Sequence, residues 1–275
     1  MKKSKNLYTV LIIILFSGLF AGSGGVKNYY QVYNAVNENV NVVDNNIVFE
    51  DNYCKIVYNL FADGGDFGFT IYNKTTRDIV LNVDKSYFVI NGLVYDYYQN
   101  RVFSTTNTSK IPVQVNSSGT KKTYITTTSV NSVDTPEQAS LTIPANTHRN
   151  INGYQLVSRL YSTCDLLKYP KPSEVKALTF TKANSPFVFY NIINYTVDGV
   201  SRTVENNFYI SQITNLPEKM MLTKFKTTNC PDETGPFSPK SIDIYVFKDA
   251  SPNSFFYKYT NSATDPRNTG ISNKH

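Results

Sequence analysis

The chain has 275 residues and a formal net charge of +6, with 41% of its residues apolar, 14% aromatic and 17% charged. It is long enough to bury a sizeable core, as one large all-β domain or two ordinary ones, and too aromatic and too weakly charged for a disordered chain. Three cysteines exclude a disulfide scaffold, and Lys2, Lys3 and Lys5 alone carry half of the net charge, so the rest of the chain is too weakly and diffusely basic for a nucleic-acid partner.

Residues 1–23 read as an export signal. A basic start is followed by an apolar run over residues 7–16 and then by small residues. The run falls short of the ~20 apolar residues of a comfortable membrane span. Phe20-Ala21-Gly22-Ser23 has the form of a bacterial lipobox, but Ser23 stands where the lipid-bearing cysteine belongs. A serine hydroxyl is a far weaker nucleophile than a thiolate, so the lipid-attachment position is lost. Three outcomes follow: release by ordinary signal peptidase, retention as an anchor, or a serine substitution in one copy of a lipoprotein. Residues 24–45 read as a tether, because Gly24 and Gly25 precede an asparagine-rich stretch with no sustained period. Tyr29, Tyr30, Val32 and Tyr33 are apolar enough to dock this lead-in on a sheet.

From residue 46 onward the pattern predicts strands. Cys54, Ile56, Tyr58 and Leu60 alternate with Tyr53, Lys55, Val57 and Asn59, the period of a half-buried strand. Asp63-Gly64-Gly65 supplies a turn, and Phe67, Phe69 and Ile71 form the return strand. Further strands are expected over 79–83, 87–90 and 93–98, the last two joined by the tight-turn pair Asn91-Gly92. Residues 104–120 read as a Ser/Thr/Asn-rich loop with one short edge strand at 113–115. Strands follow at 123–130 and 139–143. The one plausible helix lies over 153–167, where Leu156, Leu160 and Cys164 fall four apart. Tyr169-Pro170-Lys171-Pro172 breaks it. The last third predicts strands at 175–181, 187–197, 200–210, 242–247 and 255–259, with Asp198-Gly199 as a hairpin turn, a long proline-containing loop over 229–239 and a disordered tail over 261–275. The fold expected over residues 46–260 is mainly β: an immunoglobulin-like antiparallel β-sandwich with one short helix, elaborated or two-lobed.

Two stretches carry a resemblance. Phe69-Thr-Ile-Tyr-Asn73-Lys-Thr-Thr-Arg-Asp78-Ile, continuing to Ser86-Tyr-Phe-Val-Ile-Asn91-Gly92 and to the strand-ending Leu141-Thr-Ile-Pro144, resembles exported immunoglobulin-like domains. The lead-in over 24–33, the hairpin over 91–98 and Asn206-Asn-Phe-Tyr-Ile-Ser-Gln-Ile-Thr-Asn-Leu-Pro-Glu218 are similar to uncharacterised Bacteroides-type envelope lipoproteins. The resemblance implies an exported location in the periplasm, outer membrane or cell surface, and a sandwich fold. It implies no activity, and Ser23 departs from its pattern.

Reactive groups are sparse. His148 and His275 are too few for a histidine metal site, and His148 sits in a polar loop. Cys54 falls on the inward face of its strand and reads as an inert buried thiol. Cys164 and Cys230 are open to pairing in an oxidising compartment. Asp44, Asp63 and Asp66 are candidate cation oxygens, although turn roles explain them better. No cofactor or metal motif is present. The unusual feature is 21 tyrosines with no tryptophan. Tyr95, Tyr97 and Tyr98 are the candidate binding surface, weighed against ordinary strand packing. The function expected is that of a non-enzymatic envelope protein that binds or scaffolds an envelope protein or glycan, with no nucleic acid, touching membrane only through its N-terminal segment if that segment is retained. The alternative is a carbohydrate-binding or carbohydrate-processing protein.

Overall fold

The computed structural model describes residues 25–117, 120–228, 241–268 and 271–272. The expected export signal with Ser23, the proline-containing loop over 229–239 with Cys230, and His275 lie outside the described residues. In chain order the first strands are β1 (Asn28–Asn37), β2 (Asn41–Val43), β3 (Asn46–Glu50), β4 (Cys54–Tyr58), β5 (Phe69–Asn73), β6 (Ile79–Asn82) and β7 (Tyr87–Ile90). There follow β8 (Leu93–Asp96), β9 (Val102–Ser117), β10 (Thr120–Pro136), β11 (Ser140–Ile143), β12 (His148–Ile151), β13 (Tyr161–Ser162) and β14 (Ala177–Thr179). The last are β15 (Val188–Val197), β16 (Val200–Pro217), a single-turn helix α1 (Glu218–Met221), β17 (Leu222–Thr228), β18 (Ser241–Phe247), β19 (Ser254–Thr260) and β20 (Ile271–Ser272). The chain is mainly β, and every pairing is antiparallel except the short one of β13 with β20.

A nine-stranded sheet runs in the order β11-β6-β15-β16-β1-β19, with β14 also on β16 and the β7–β8 hairpin on β15. A five-stranded sheet runs β12-β5-β4-β3-β2. Period-2 alternation turns one face of each sheet toward the other. Ile56 and Tyr58 of β4 and Phe69 and Ile71 of β5 face Phe189 and Ile193 of β15 and Phe208 and Ile210 of β16, all buried in one cluster. Phe189 and Phe208 stack 5.3 Å apart, and the Phe67 ring meets them edge-on at 5.0 and 5.3 Å. A bulge opposite Asn34/Ala35 lets Ile210 and Ile213 of β16 both face inward, which curls the larger sheet. The tight turns follow their residues: Asp44-Asn45, Asn91-Gly92 and Asp198-Gly199 all have positive φ.

Four expectations are corrected. The supposed tether contains β1, an inner strand between β16 and β19. Tyr29 and Tyr33 join the main core while Tyr30 lies under a second cluster on the outer face, so both faces are covered and no clean alternation was visible. Residues 104–117 of the expected loop are instead part of β9, paired with β10. Hydroxyl-rich composition suggested a loop, yet β-branched threonines suit a ribbon, and Pro112 is tolerated because a two-stranded ribbon leaves alternate N–H groups unpaired.

The helix expected over 153–167 is an extended strap. Gly153 starts it at φ +87°, and Tyr154, Leu156, Val157, Leu160 and Leu166 are buried without a helical period. Its backbone groups find partners elsewhere. The N–H groups of Leu156 and Val157 donate to the Gly64 carbonyl at 3.0 and 2.9 Å. The carbonyls of Tyr161, Leu167, Ser158 and Lys168 accept from Gln31, Asn215, Tyr257 and Tyr259. Finally, the tail begins as an ordered turn: Asp265 accepts from the Thr260 N–H at 3.0 Å, and Arg267 pairs with Asp63 at 2.6 Å.

Candidate functional site

The outward face of the five-stranded sheet forms a groove of about 490 Å³. The strand register sets two cross-strand rows on this face, and all of their residues except His148 line the groove. One row is Glu50 (β3), Lys55 (β4), Tyr72 (β5) and His148 (β12); the next is Val48, Val57, Thr70 and Asn150 on the same strands. Asn46, Asn59 and Asn152 extend the lining beyond them. Gly68 makes the close approach of the chain after β12 feasible, since a Cβ there would lie 2.2 Å from the Ile151 carbonyl oxygen.

The Tyr72 ring is the centre of the first row. The Lys55 ammonium stands 4.8 Å from its centroid, and the His148 ring lies 4.9 Å away at 31°. In the second row the Thr70 hydroxyl donates to Asn150 Oδ1 at 2.8 Å. Glu50 is paired with Lys74 at 2.7 Å, and that hydrogen bond and charge hold its carboxyl below the usual range. Asp66 spends its oxygens on the N–H groups of Gly68 at 2.8 Å, Tyr154 at 2.9 Å and Gly153 at 2.9 Å. Of the carboxylates that line the groove, Glu50 and Asp66 are therefore engaged by the protein itself, while Asp44 stands at the β2–β3 end of the lining, and hydroxyls, amides and one aromatic face are presented outward.

A second cavity of about 380 Å³ lies on the other side of residues 150–152 and is lined by Arg101, Phe103, Leu141 and Tyr154 among others. It sits at the root of the β9–β10 ribbon. Arg101 donates to Glu137 Oε1 from Nε at 3.1 Å and Nη2 at 2.5 Å, and to the Tyr154 hydroxyl at 2.8 Å. Glu137 Oε2 accepts from the N–H groups of Gln99 and Arg101 at 2.9 and 3.0 Å. The burial of Glu137 works against its ionisation, but these donors outweigh it and its carboxyl is lowered.

The tyrosines singled out from sequence do not form one surface. Tyr95 is exposed and stacks on Phe88 at 5.1 Å. Tyr97 is in the core, donating to the Phe67 carbonyl at 2.9 Å and accepting from Asn191 at 3.2 Å. Tyr98 is half-buried and donates to Asn100 at 3.1 Å. Cys54 is buried, and burial followed by the nearby Asp51 charge pushes its thiol up to about 12, so it stays protonated and unreactive. Cys164 is an exposed free thiol. Asp63 caps the Lys258 N–H at 3.0 Å and pairs with Arg267, and Asp44 sits at positive φ in the β2–β3 turn. Among the described residues no three His, Cys, Asp or Glu side chains gather as a metal set, and no helix is long and apolar enough to cross a membrane.

The groove residues Lys55, Tyr72 and Thr70 were not singled out from sequence, because they are merely the polar alternates of strands recognised by their apolar partners, and Asn150 lay with His148 in what reads as a polar loop but is the strand β12, held by its antiparallel pairing with β5. The available clue was Tyr72, a large ring at an outward position. Comparison with protein-family models, with curated proteins and with solved structures finds no match for the chain.

Proposed function

We propose that the protein is an exported, non-catalytic binding module of the cell envelope, and that its ligand lies in the groove across the outer face of the five-stranded sheet. The export-type segment over residues 1–23 supports the location, and two antiparallel sheets packed face to face support an immunoglobulin-like sandwich. The observation that carries the reading is the Tyr72 ring set between Lys55 and His148 beside the Thr70–Asn150 pair. An aromatic face flanked by hydroxyl and amide groups favours a glycan: the ring packs on the apolar face of a sugar while the polar row meets its hydroxyls. The carboxylates engaged by lysine or backbone N–H groups favour holding a ligand over cleaving one. Isothermal titration with neutral envelope oligosaccharides tests this. Binding that is lost in Tyr72→Ala and weakened in Asn150→Ala is expected. Binding unchanged in both variants, or no binding to any neutral glycan, would remove the groove from its assigned role.

A further inference from the structure

The ribbon of β17 and β18 forms a two-stranded sheet of its own, pairing with no other strand among the described residues. Its register separates two faces. Leu222 opposite Phe247, Lys224 opposite Tyr245 and Lys226 opposite Asp243 share one face; Thr223 opposite Val246 and Phe225 opposite Ile244 share the other. At the root, Leu222 and Phe247 pack on Tyr30, Phe61 and Phe256 of the body. The face holding Phe225, Ile244 and Val246 is therefore turned away from the body, and these side chains are 53%, 39% and 45% exposed. Lys224 pairs with Asp243 at 2.7 Å on the opposite face. The lysine face also carries Tyr245, 59% exposed, so the ribbon sets three exposed aliphatic or phenyl side chains on one face against Lys224, Lys226 and Asp243 around a tyrosine on the other.

The place where the chain enters the fold indicates what meets that face. Asn28, the first residue of β1, donates a side-chain hydrogen bond to Glu218 of α1, the turn from which β17 starts. Tyr29 pairs with Pro217 across the sheet. The apolar segment that ends near Ala21 is thus joined to the ribbon root through residues 22–27, a link of at most about 20 Å when extended. Val26 within that link is itself 68% exposed. Any membrane that receives the N-terminal segment lies within reach of the ribbon. We propose that the β17–β18 ribbon lies on the bilayer surface beside the N-terminal segment, with Phe225, Ile244 and Val246 entering the acyl boundary and the Lys224/Lys226 face toward the headgroups and water.

The test uses the full chain reconstituted into vesicles of phosphatidylethanolamine and phosphatidylglycerol. An environment-sensitive fluorophore is placed at Ile244→Cys or, as a control, at Val200→Cys, with Cys164→Ser and Cys230→Ser removing competing thiols. Val200 is exposed in the β15–β16 turn, at the end of β16 opposite Pro217. Quenching by doxyl-labelled lipid severalfold stronger at position 244 than at 200, and reduced to the control level by Phe225→Glu, is expected. Equal quenching at both positions, a chain that does not float with the vesicles, or self-quenching at 244 from a second copy with no lipid quenching would each overturn the proposal. None of these outcomes depends on glycan binding in the groove.

Discussion

Replacing Gln31 by leucine should cost the protein a large part of its stability, although the position lies in the segment over 24–45 that reads as a tether. Gln31 is 0% exposed, in the middle of β1. Its Nε2 donates to the Tyr161 carbonyl and to Asn215 Oδ1, both at 2.9 Å. Its Oε1 accepts from the Tyr161 N–H at 2.7 Å and from the Tyr33 hydroxyl. Leucine fits the volume but takes the partner from the buried Asn215 and Tyr33 groups and from the part-buried Tyr161 backbone. Each such group costs about 1–3 kcal/mol. If relaxation rescues half of them, the loss is still about 2–6 kcal/mol, offset by no more than about 2 from leucine's greater apolar burial. The middle of that range, about 4 kcal/mol, less the offset of about 2, leaves an expected net loss of about 2 kcal/mol by urea unfolding, against the roughly 5–15 kcal/mol that holds a typical domain together. Hydrogen exchange should show the Tyr161 amide losing protection first. Gln31→Glu separates hydrogen bonding from volume. A carboxylate oxygen in place of Nε2 would face two acceptors, so the buried acid's folded-state pKa is raised. Its stability is then fully present below the unfolded value of about 4.3 and is lost as pH rises through the folded value. A Gln31→Leu loss under about 0.5 kcal/mol, or a Gln31→Glu variant whose stability relative to the parent is flat with pH, would refute the claim that this amide holds the strap.

Gly65→Ala should destabilise by about 1–3 kcal/mol in the same unfolding assay, because φ is +73° and the new Cβ would lie 3.0–3.1 Å from Phe255 and Leu156. Asp51→Asn should flatten the acid limb of the stability curve. Burial alone would raise the Asp51 carboxyl, but the Tyr195 hydroxyl at 2.6 Å and the N–H groups of Cys54 and Tyr53 hold it below its ordinary value of 3.8. A lowered folded-state value gives stability that is present above pH 3.8 and lost as pH falls through the folded value, so the gap between parent and variant should close below that point. Glu137→Ala should speed proteolysis within residues 102–136 more than elsewhere, since it removes the pin that joins the two ends of the β9–β10 ribbon. Limited digestion with mass spectrometry reads this out.

The strands visible in the sequence were those with one buried and one solvated face. Cys54, Ile56 and Tyr58, or Ile79 and Leu81, alternate because only their inward neighbours need to be apolar. Two kinds of element escaped. β1 is covered on both faces, so Tyr29 and Tyr30 are adjacent and both buried, and Gln31 is polar yet dry. Most of β9 escaped as well, although a strand at 123–130 within β10 was expected: β9 pairs only with β10, and its Ser/Thr/Asn-rich composition reads as a loop. The strap over 153–167 imitated a helix because Leu156 and Leu160 are both buried, four residues apart. What prevents the helix there is the supply of partners for its backbone from Gln31, Asn215 and Gly64, which are remote in sequence.

The same reasoning explains why clustering of tyrosines along the chain was a poor guide to the groove. Tyr95 and Tyr97 are two apart on neighbouring stretches of backbone, yet one is exposed and the other is in the core, because the chain leaves the strand at Asp96. Tyr72 has no tyrosine beside it in sequence. It acquires Lys55 and His148 through pairing across β4, β5 and β12, over separations that no local pattern records. A binding face on a sheet is a property of register. Shifting β5 by one residue would turn Tyr72 into the core and Ile71 into the groove. The groove and the sandwich core are therefore specified by the same alternation, and a variant that slips the register should lose both together, whereas Tyr72→Ala should lose binding and leave stability nearly intact.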